Sequence, residues 1–246
     1  MSFSLIIPVY NGEKYLPQTL KELEVFCRTS PNVRQIIFVN DGSTDTTQKI
    51  LKEFIQKIQN TLFTLYNSEK NQGKGYAIQH GIEQVVEDVD SIIFTDVEIP
   101  YGLSCISEGI KKMNEGFDMV IGDRTQNSKS QYSSYRKLFT KLFRLFIPQK
   151  IRYIHDTQSG IKMFEKNLAK KIFKNIKTSR WVFDIEILLM ATQNGYRIYE
   201  LPVSLKDIEI KGKGGVSFQK HSKGILKDMC KIHWYDKKGA YIFEDK

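Results

Sequence analysis

Two short acidic turns in this chain have residue types and spacing suited to metal-assisted chemistry on a phosphorylated ligand. Thr95-Asp96-Val97-Glu98 follows the apolar run Ser91-Ile92-Ile93-Phe94, so two carboxylates one residue apart stand at the end of a strand-like segment. Hard divalent cations take oxygen ligands and share them with phosphates, which makes Asp96 and Glu98 candidate ligands for Mn²⁺ or Mg²⁺. Such an ion would offset the charge that develops on a departing nucleotide. The second turn, Val39-Asn40-Asp41-Gly42-Ser43-Thr44-Asp45, follows the strand-like Gln35-Ile36-Ile37-Phe38. There Asp41 would accept from a base N–H, and Gly42 would let the backbone come close. Asn71-Gln72-Gly73-Lys74-Gly75 offers backbone N–H groups and a lysine to an anion at a helix start. Pro8-Val9-Tyr10-Asn11-Gly12 offers Tyr10 as a ring to stack on a base. Taken singly, each reads equally as a plain turn between a strand and a helix. Together they suggest a site for a metal-bound diphosphate, and so nucleotide-sugar chemistry.

Positioning these turns together requires an open sheet. Strand-like runs at Phe3 to Val9, Gln35 to Val39, Leu62 to Tyr66, Ile92 to Thr95 and Asp118 to Ile121 alternate with helical patterns. The helices are expected at Lys14 to Cys27 (Pro17 in the first turn), Thr46 to Gln59, Tyr76 to Val86 and Leu103 to Asn114. This alternation predicts an α/β fold: a mostly parallel sheet with helices on both faces. The turns would then emerge along one carboxyl edge, where ligands bind. After Gly122 the pattern changes. A polar stretch over 123–135 reads as a loop or lid, and Arg136 to Ile147 as an amphipathic helix. Ile161 to Phe164 reads as a strand, Asp184 to Gln193 as a helix and Tyr196 to Leu205 as a strand. Gly212, Gly214 and Gly215 mark a loop before a basic amphipathic helix from about Gln219 to Trp234. The expected organisation is one domain over 1–206, with a nucleotide half (1–122) and an acceptor half (123–206). A basic extension over 207–246 follows.

The formal charge of +9 is unevenly placed: Arg124 to His155 carries many cations and no Asp or Glu. Clustered basic residues imply an anionic partner. The basic segments lack the spaced aromatics of a single-strand binder, and no helix-turn-helix or zinc pattern is present, which argues against nucleic acid. Cys27, Cys105 and Cys230 have no metal-ligand spacing and fit a reducing compartment. No segment reads as a signal peptide or approaches the ~18 apolar residues of a membrane span. The expectation is a cytoplasmic protein, peripheral on the cytoplasmic face of a membrane.

The four turn motifs, in this order and spacing, resemble glycosyltransferase family 2, whose members have the inverting GT-A (Rossmann-like) fold. The segments Asp156-Thr157-Gln158-Ser159-Gly160-Ile161-Lys162-Met163-Phe164 and Arg180-Trp181-Val182-Phe183-Asp184-Ile185-Glu186-Ile187 look most like dolichyl-phosphate or polyprenyl-phosphate glucosyltransferases. Dolichyl-phosphate mannose synthases are similar but more distant. The resemblance implies that Pro8, Tyr10, Asp41, Gly73, Lys74, Asp96 and Val97 bind the donor, and that Asp96 and Glu98 hold Mn²⁺ or Mg²⁺. It also implies that Arg124, in Gly122-Asp123-Arg124, touches a phosphate of donor or acceptor. Four positions depart from the family pattern: Asn40 before Asp41, Gly12 where mannose synthases carry Glu, and Val97-Glu98 for the commoner Ala-Asp.

Two acceptors remain open at this level. A lipid phosphate is already ionised near pH 7 and needs only positioning cations, for which Arg124, Arg136 and Lys137 are the candidates. A hydroxyl of a glycan or protein needs a carboxylate base, for which Asp156, Asp184 and Glu186 are candidates. The plain alternative for these three is capping, or pairing with Arg180 or Lys162. The basic segment Arg136 to Arg152 suits an anionic membrane interface, or the surface of an ordinary core helix.

Overall fold

The computed structural model describes residues 1–58, 60, 62–125, 144–180, 182–206 and 218–243, without the side chains of 218–223. The first half follows the sequence pattern closely: β1 (Phe3–Val9), α1 (Leu16–Thr29), β2 (Val33–Asn40), α2 (Thr47–Ile58), β3 (Phe63–Asn67), α3 (Lys74–Glu83), β4 (Ser91–Phe94), α4 (Ser104–Asn114) and β5 (Met119–Asp123). A single 3-10 turn (Gln149–Ile151) precedes β6 (Lys162–Glu165). Then come α5 (Lys166–Asn175), α6 (Phe183–Gln193), β7 (Ile198–Pro202) and α7 (Phe218–Lys237). Helix α5 is not anticipated by the pattern above. It follows β6 with no intervening glycine or proline and starts where the Glu165 carboxylate accepts from Leu168 N–H at 2.8 Å.

Among the described residues the sheet has seven strands in the order β3-β2-β1-β4-β6-β5-β7. Strands β1 to β4 pair in parallel, as do β5 and β7. Only β6 is reversed, running antiparallel to both β4 and β5. That reversal matters for the site. A strand running against its neighbours begins at the edge where they end, so residues 156–161 enter the sheet beside the ends of β4 and β5.

Alternation along the strands divides the apolar residues between two cores. In β1, Ile6 faces α3, α5 and α6, whereas Leu5 and Ile7 face α1, α2 and α4. The C-terminal segment joins the first core: Ile225, Met229 and Ile232 of α7 are buried in it, and Tyr241 is wholly enclosed. Leu226, Trp234 and Ile242 of the same segment are exposed. Of the polar stretch expected as a loop or lid over 123–135, Asp123 instead closes β5; residues 126–135, most of the Arg136 to Ile147 segment, and Gly212, Gly214 and Gly215 lie outside the described residues. Among the described residues, no helix is long and apolar enough to cross a membrane.

Candidate active site

Around the ends of β1 and β2 the carboxyl edge is held mainly by backbone groups. Asp41, at the end of β2, is buried, and its two carboxylate oxygens accept from the N–H groups of Gln72 and Gly73, each at 2.8 Å. Gly42 has φ +66, and a Cβ there would lie 2.4 Å from the Lys70 carbonyl carbon, so only glycine closes this turn. The Asn40 amide accepts from Ser43 N–H at 3.2 Å and donates to Asn67 Oδ1 at 2.9 Å. Asn40 thus holds the turn without adding charge. Asn11 joins the β1 and β2 turns, donating to Ser43 Oγ at 2.9 Å and accepting from Thr44 N–H at 2.8 Å. Pro8 is buried in β1 opposite Val39, and Tyr10 stands about half exposed at the strand end. Gly73 has φ +108 and lies under Ser179, whose carbonyl accepts from Gly75 N–H at 2.8 Å.

The acidic turn after β4 is tightly held. Ile99 N–H donates to the Asp96 carbonyl at 2.9 Å, and the Val97 carbonyl accepts from the Thr19 hydroxyl at 2.5 Å. Ile99 adopts φ 47, a region that costs a β-branched residue on the order of 1–3 kcal/mol and that recurs at functional turns. The Asp96 carboxylate lies against Gly160: a Cβ on that glycine would stand 1.9 Å from Asp96 Oδ2. Lys74 Nζ sits 2.5 Å from Asp96 Oδ1. Burial disfavours the Lys74 ammonium, but the charges of Asp96 and Asp184 outweigh it and raise its pKa. Two carboxylates on one turn, a cation already resting on one of them and a glycine making room for it together fit a hard divalent ion.

Around the ends of β5 and the start of β6 the edge is built from ion pairs instead. Asp156 takes Arg124 in a two-pronged contact, Nε at 2.6 Å and Nη2 at 2.7 Å, with Arg124 N–H at 3.1 Å. Burial works against an ionised Asp156, yet the guanidinium outweighs it and holds the carboxyl below the usual range. Lys162 is wholly buried, donating to Asp184 Oδ1 at 2.6 Å and to the Ser159 carbonyl at 2.8 Å. Burial draws its pKa down against the pull of Asp184. Asp184 also acts on Lys74, and Asp156 on Lys162. The charges therefore alternate across the edge: Asp96, Lys74, Asp184, Lys162, Asp156, Arg124. Buried Glu186 accepts from Lys177 N–H, Thr178 N–H and hydroxyl, and Tyr241 hydroxyl, all between 2.6 and 2.8 Å. Burial raises its pKa.

Asp184 thus has the Lys162 partner that the plain alternative anticipates, and Asp156 has Arg124. Arg180 meets Asn71 at 3.5 Å. Arg136 and Lys137 lie outside the described residues. Sequence reasoning missed Gly160 as the residue beneath Asp96, Tyr101, whose hydroxyl accepts from Gly160 N–H at 3.2 Å, and Tyr241 under Glu186. Gly160 had a signal, a glycine just before a strand; the tyrosines had none. Gln158 N–H donates to Asp156, and the buried Gln158 Nε2 has no acceptor among the described residues.

Comparisons with known proteins identify the family and the fold. The model of the family described as "Glycosyl transferase family 2" matches residues 4–173. Over 99% of its length the chain is 31% identical to the dolichyl-phosphate beta-glucosyltransferase ALG5A of Trichomonas vaginalis, covering 76% of that protein. It is also 31% identical to the human dolichyl-phosphate beta-glucosyltransferase, over 84% of this chain and 68% of the human one. Among solved structures it resembles glucosyl-3-phosphoglycerate synthase from Mycobacterium tuberculosis in complex with UDP. That likeness has a TM-score of 0.71 at 12% identity and covers 99% of this chain and 82% of that one. A mannosyltransferase from Pyrobaculum calidifontis in complex with GDP-Man and Mn²⁺ aligns with a TM-score of 0.61 at 14% identity, over 87% of this chain and 58% of that one. The mostly parallel sheet with its reversed sixth strand is their GT-A fold. By sequence and architecture, the chain belongs to glycosyl transferase family 2.

Proposed function

We propose that this enzyme transfers glucose from UDP-glucose, with inversion, to a polyprenyl phosphate of the dolichyl type at a membrane surface. The observation that carries the acceptor choice is the pairing of Asp156 with Arg124 and of Asp184 with Lys162. A carboxylate already paired with a cation is a poor proton acceptor. An ionised phosphate needs none. Its oxygen forms the new bond to the sugar C1 as the bond from C1 to the UDP oxygen breaks, giving a glucosyl phospholipid and UDP.

In this reading the uracil lies over Tyr10, and the remaining lone pairs of Asp41 accept from a base N–H. Gly73 and Lys74 face the diphosphate. Asp96 and Glu98 would hold Mn²⁺ or Mg²⁺, which when bound offsets charge on the leaving group. Arg124, pinned by Asp156, offers a fixed cation to the acceptor phosphate, with Gln158 Nε2 as a nearby donor; Arg136 and Lys137 would add charge. The names of the curated relatives support glucose and dolichyl phosphate.

A basic and apolar face supports membrane contact. Exposed Leu145, Phe146, Tyr153 and Trp234 are interleaved with Arg144, Lys150 and Arg152. The two segments are fastened by Lys150 to Asp236 at 2.7 Å and by His233 Nε2 to the Phe146 carbonyl at 2.9 Å. Aromatic side chains among cations suit the headgroup region of anionic bilayers, which fits a peripheral enzyme on the cytoplasmic face.

The test is UDP release from UDP-glucose with Mn²⁺, with and without a short polyprenyl phosphate. Lipid-dependent, chelator-sensitive turnover is expected, with GDP-sugars inert. In Asp184→Asn, turnover per folded molecule should fall less than the roughly 10²-fold loss of a removed base. Turnover on a glycan hydroxyl that needs no lipid phosphate and is abolished in Asp184→Asn would overturn the acceptor assignment.

A further inference from the structure

At the β5–β7 side of the sheet, three segments bring a second group of ligand-type side chains together. Asp123 ends β5, His155 precedes the 156–161 segment, and Glu200 lies within β7. One ligand atom from each falls within 4.8 Å of the others. Strands β5 and β7 are paired in register with Ile121 opposite Glu200 and Asp123 opposite Pro202, which puts Asp123 and Glu200 on one face of the sheet. Asp123 is wholly buried, and its Oδ1 accepts from the Thr125 N–H and hydroxyl at 2.8 and 2.6 Å. Glu200 Oε2 accepts from His155 N–H at 2.7 Å, and His155 Nδ1 stands 3.1 Å from Glu200 Oε1. Each carboxylate therefore has one oxygen oriented by a protein donor, the support that metal-ligating groups need.

We propose that Asp123, His155 and Glu200 form a second cation site, selective for a borderline divalent ion such as Zn²⁺ and separate from the carboxylates at 96 and 98. One imidazole and two carboxylates suit zinc, which takes three protein ligands and a water, better than Mg²⁺, which prefers oxygen alone. Tetrahedral zinc spaces its donors roughly 3.3 Å apart, so the side chains must close in by about an ångström. The His155 side chain, 62% exposed, is free to do so.

The placement gives the ion a structural consequence. Asp123 precedes Arg124 and His155 precedes Asp156, so zinc would join the same two segments that the Arg124–Asp156 pair already joins. It would add β7 as a third anchor. The ion is a staple for the acceptor edge.

The experiment uses full-length, chelator-treated protein and Zn²⁺ alone, followed by calorimetry and by the thermal midpoint. An Asp96→Asn, Glu98→Gln background removes the donor-site carboxylates. In that background one zinc equivalent should still bind and raise the midpoint, and excess Mg²⁺ should not displace it. Adding His155→Ala should weaken zinc binding by about 100-fold or more and abolish the midpoint rise. His155 is a surface side chain, so the variant should keep the parent's circular dichroism. Zinc affinity unchanged by His155→Ala, or no zinc uptake in the Asp96→Asn, Glu98→Gln protein, overturns the site. Neither outcome depends on which sugar or acceptor the enzyme uses.

Discussion

The β2 side and the β5–β6 side of the edge solve the same problem, holding charge in place, by opposite means. On the β2 side, Asp41 grips two backbone N–H groups of the neighbouring turn, and glycines at 42 and 73 supply the backbone shapes that this needs. On the β5–β6 side, Arg124 with Asp156 and Lys162 with Asp184 pair side chains from distant parts of the chain. A backbone-built site has few ways to rearrange. An ion-pair site can exchange partners when a ligand brings its own charge, but leaves a costly orphan when one member is removed.

The largest effect should come where the two sides are joined by Asp96. Asp96→Asn should lower kcat/KM for UDP release about 10²- to 10³-fold and cost less in urea unfolding than Arg124→Ala, because Lys74 keeps the charge of Asp184 nearby. A loss of stability as large as the loss of activity would mean that Asp96 is structural. Arg124→Ala should behave oppositely, costing about 2–4 kcal/mol in urea unfolding because a buried carboxylate loses the guanidinium that pairs with it. Its pH dependence sharpens the contrast. The folded pKa of Asp156 lies below its unfolded value of about 3.9, so the pair contributes stability above that pH, lost as pH falls through the folded value. Arg124→Ala should flatten the acid limb of the stability curve below about pH 4.

Gly160→Ala probes the contact between the two sides. Its Cβ would collide with Asp96 Oδ2, so donor affinity should fall about 10- to 100-fold, measured by nucleotide titration with Mn²⁺. The smallest effect should be Tyr241→Phe, which removes one of four donors from buried Glu186 and should cost about 1 kcal/mol in thermal or urea unfolding. Unchanged stability there would detach the C-terminal segment from Glu186.

This division also explains what the sequence made legible. Turns that work through local backbone have local signatures: Asp41-Gly42-Ser43 and Gly73-Lys74-Gly75 announce themselves, and the first four strand–helix pairs follow from periodicity. Ion pairs have no such signature. Arg124 and Asp156 stand 32 positions apart, and only the sheet order says they meet. The reversed β6 is equally silent, because a four-residue buried strand reads the same in either direction. Helix α5 was missed because it starts directly on β6, capped by a glutamate instead of the usual short polar residue.

The contact between Lys74 and Asp96 sets an order of events. Any ion arriving at that carboxylate competes with an ammonium already seated there, so metal alone should be held weakly. A nucleotide diphosphate changes the contest by giving the displaced ammonium a new anion. Ion and nucleotide therefore strengthen each other, and by reciprocity each should tighten the other by the same factor.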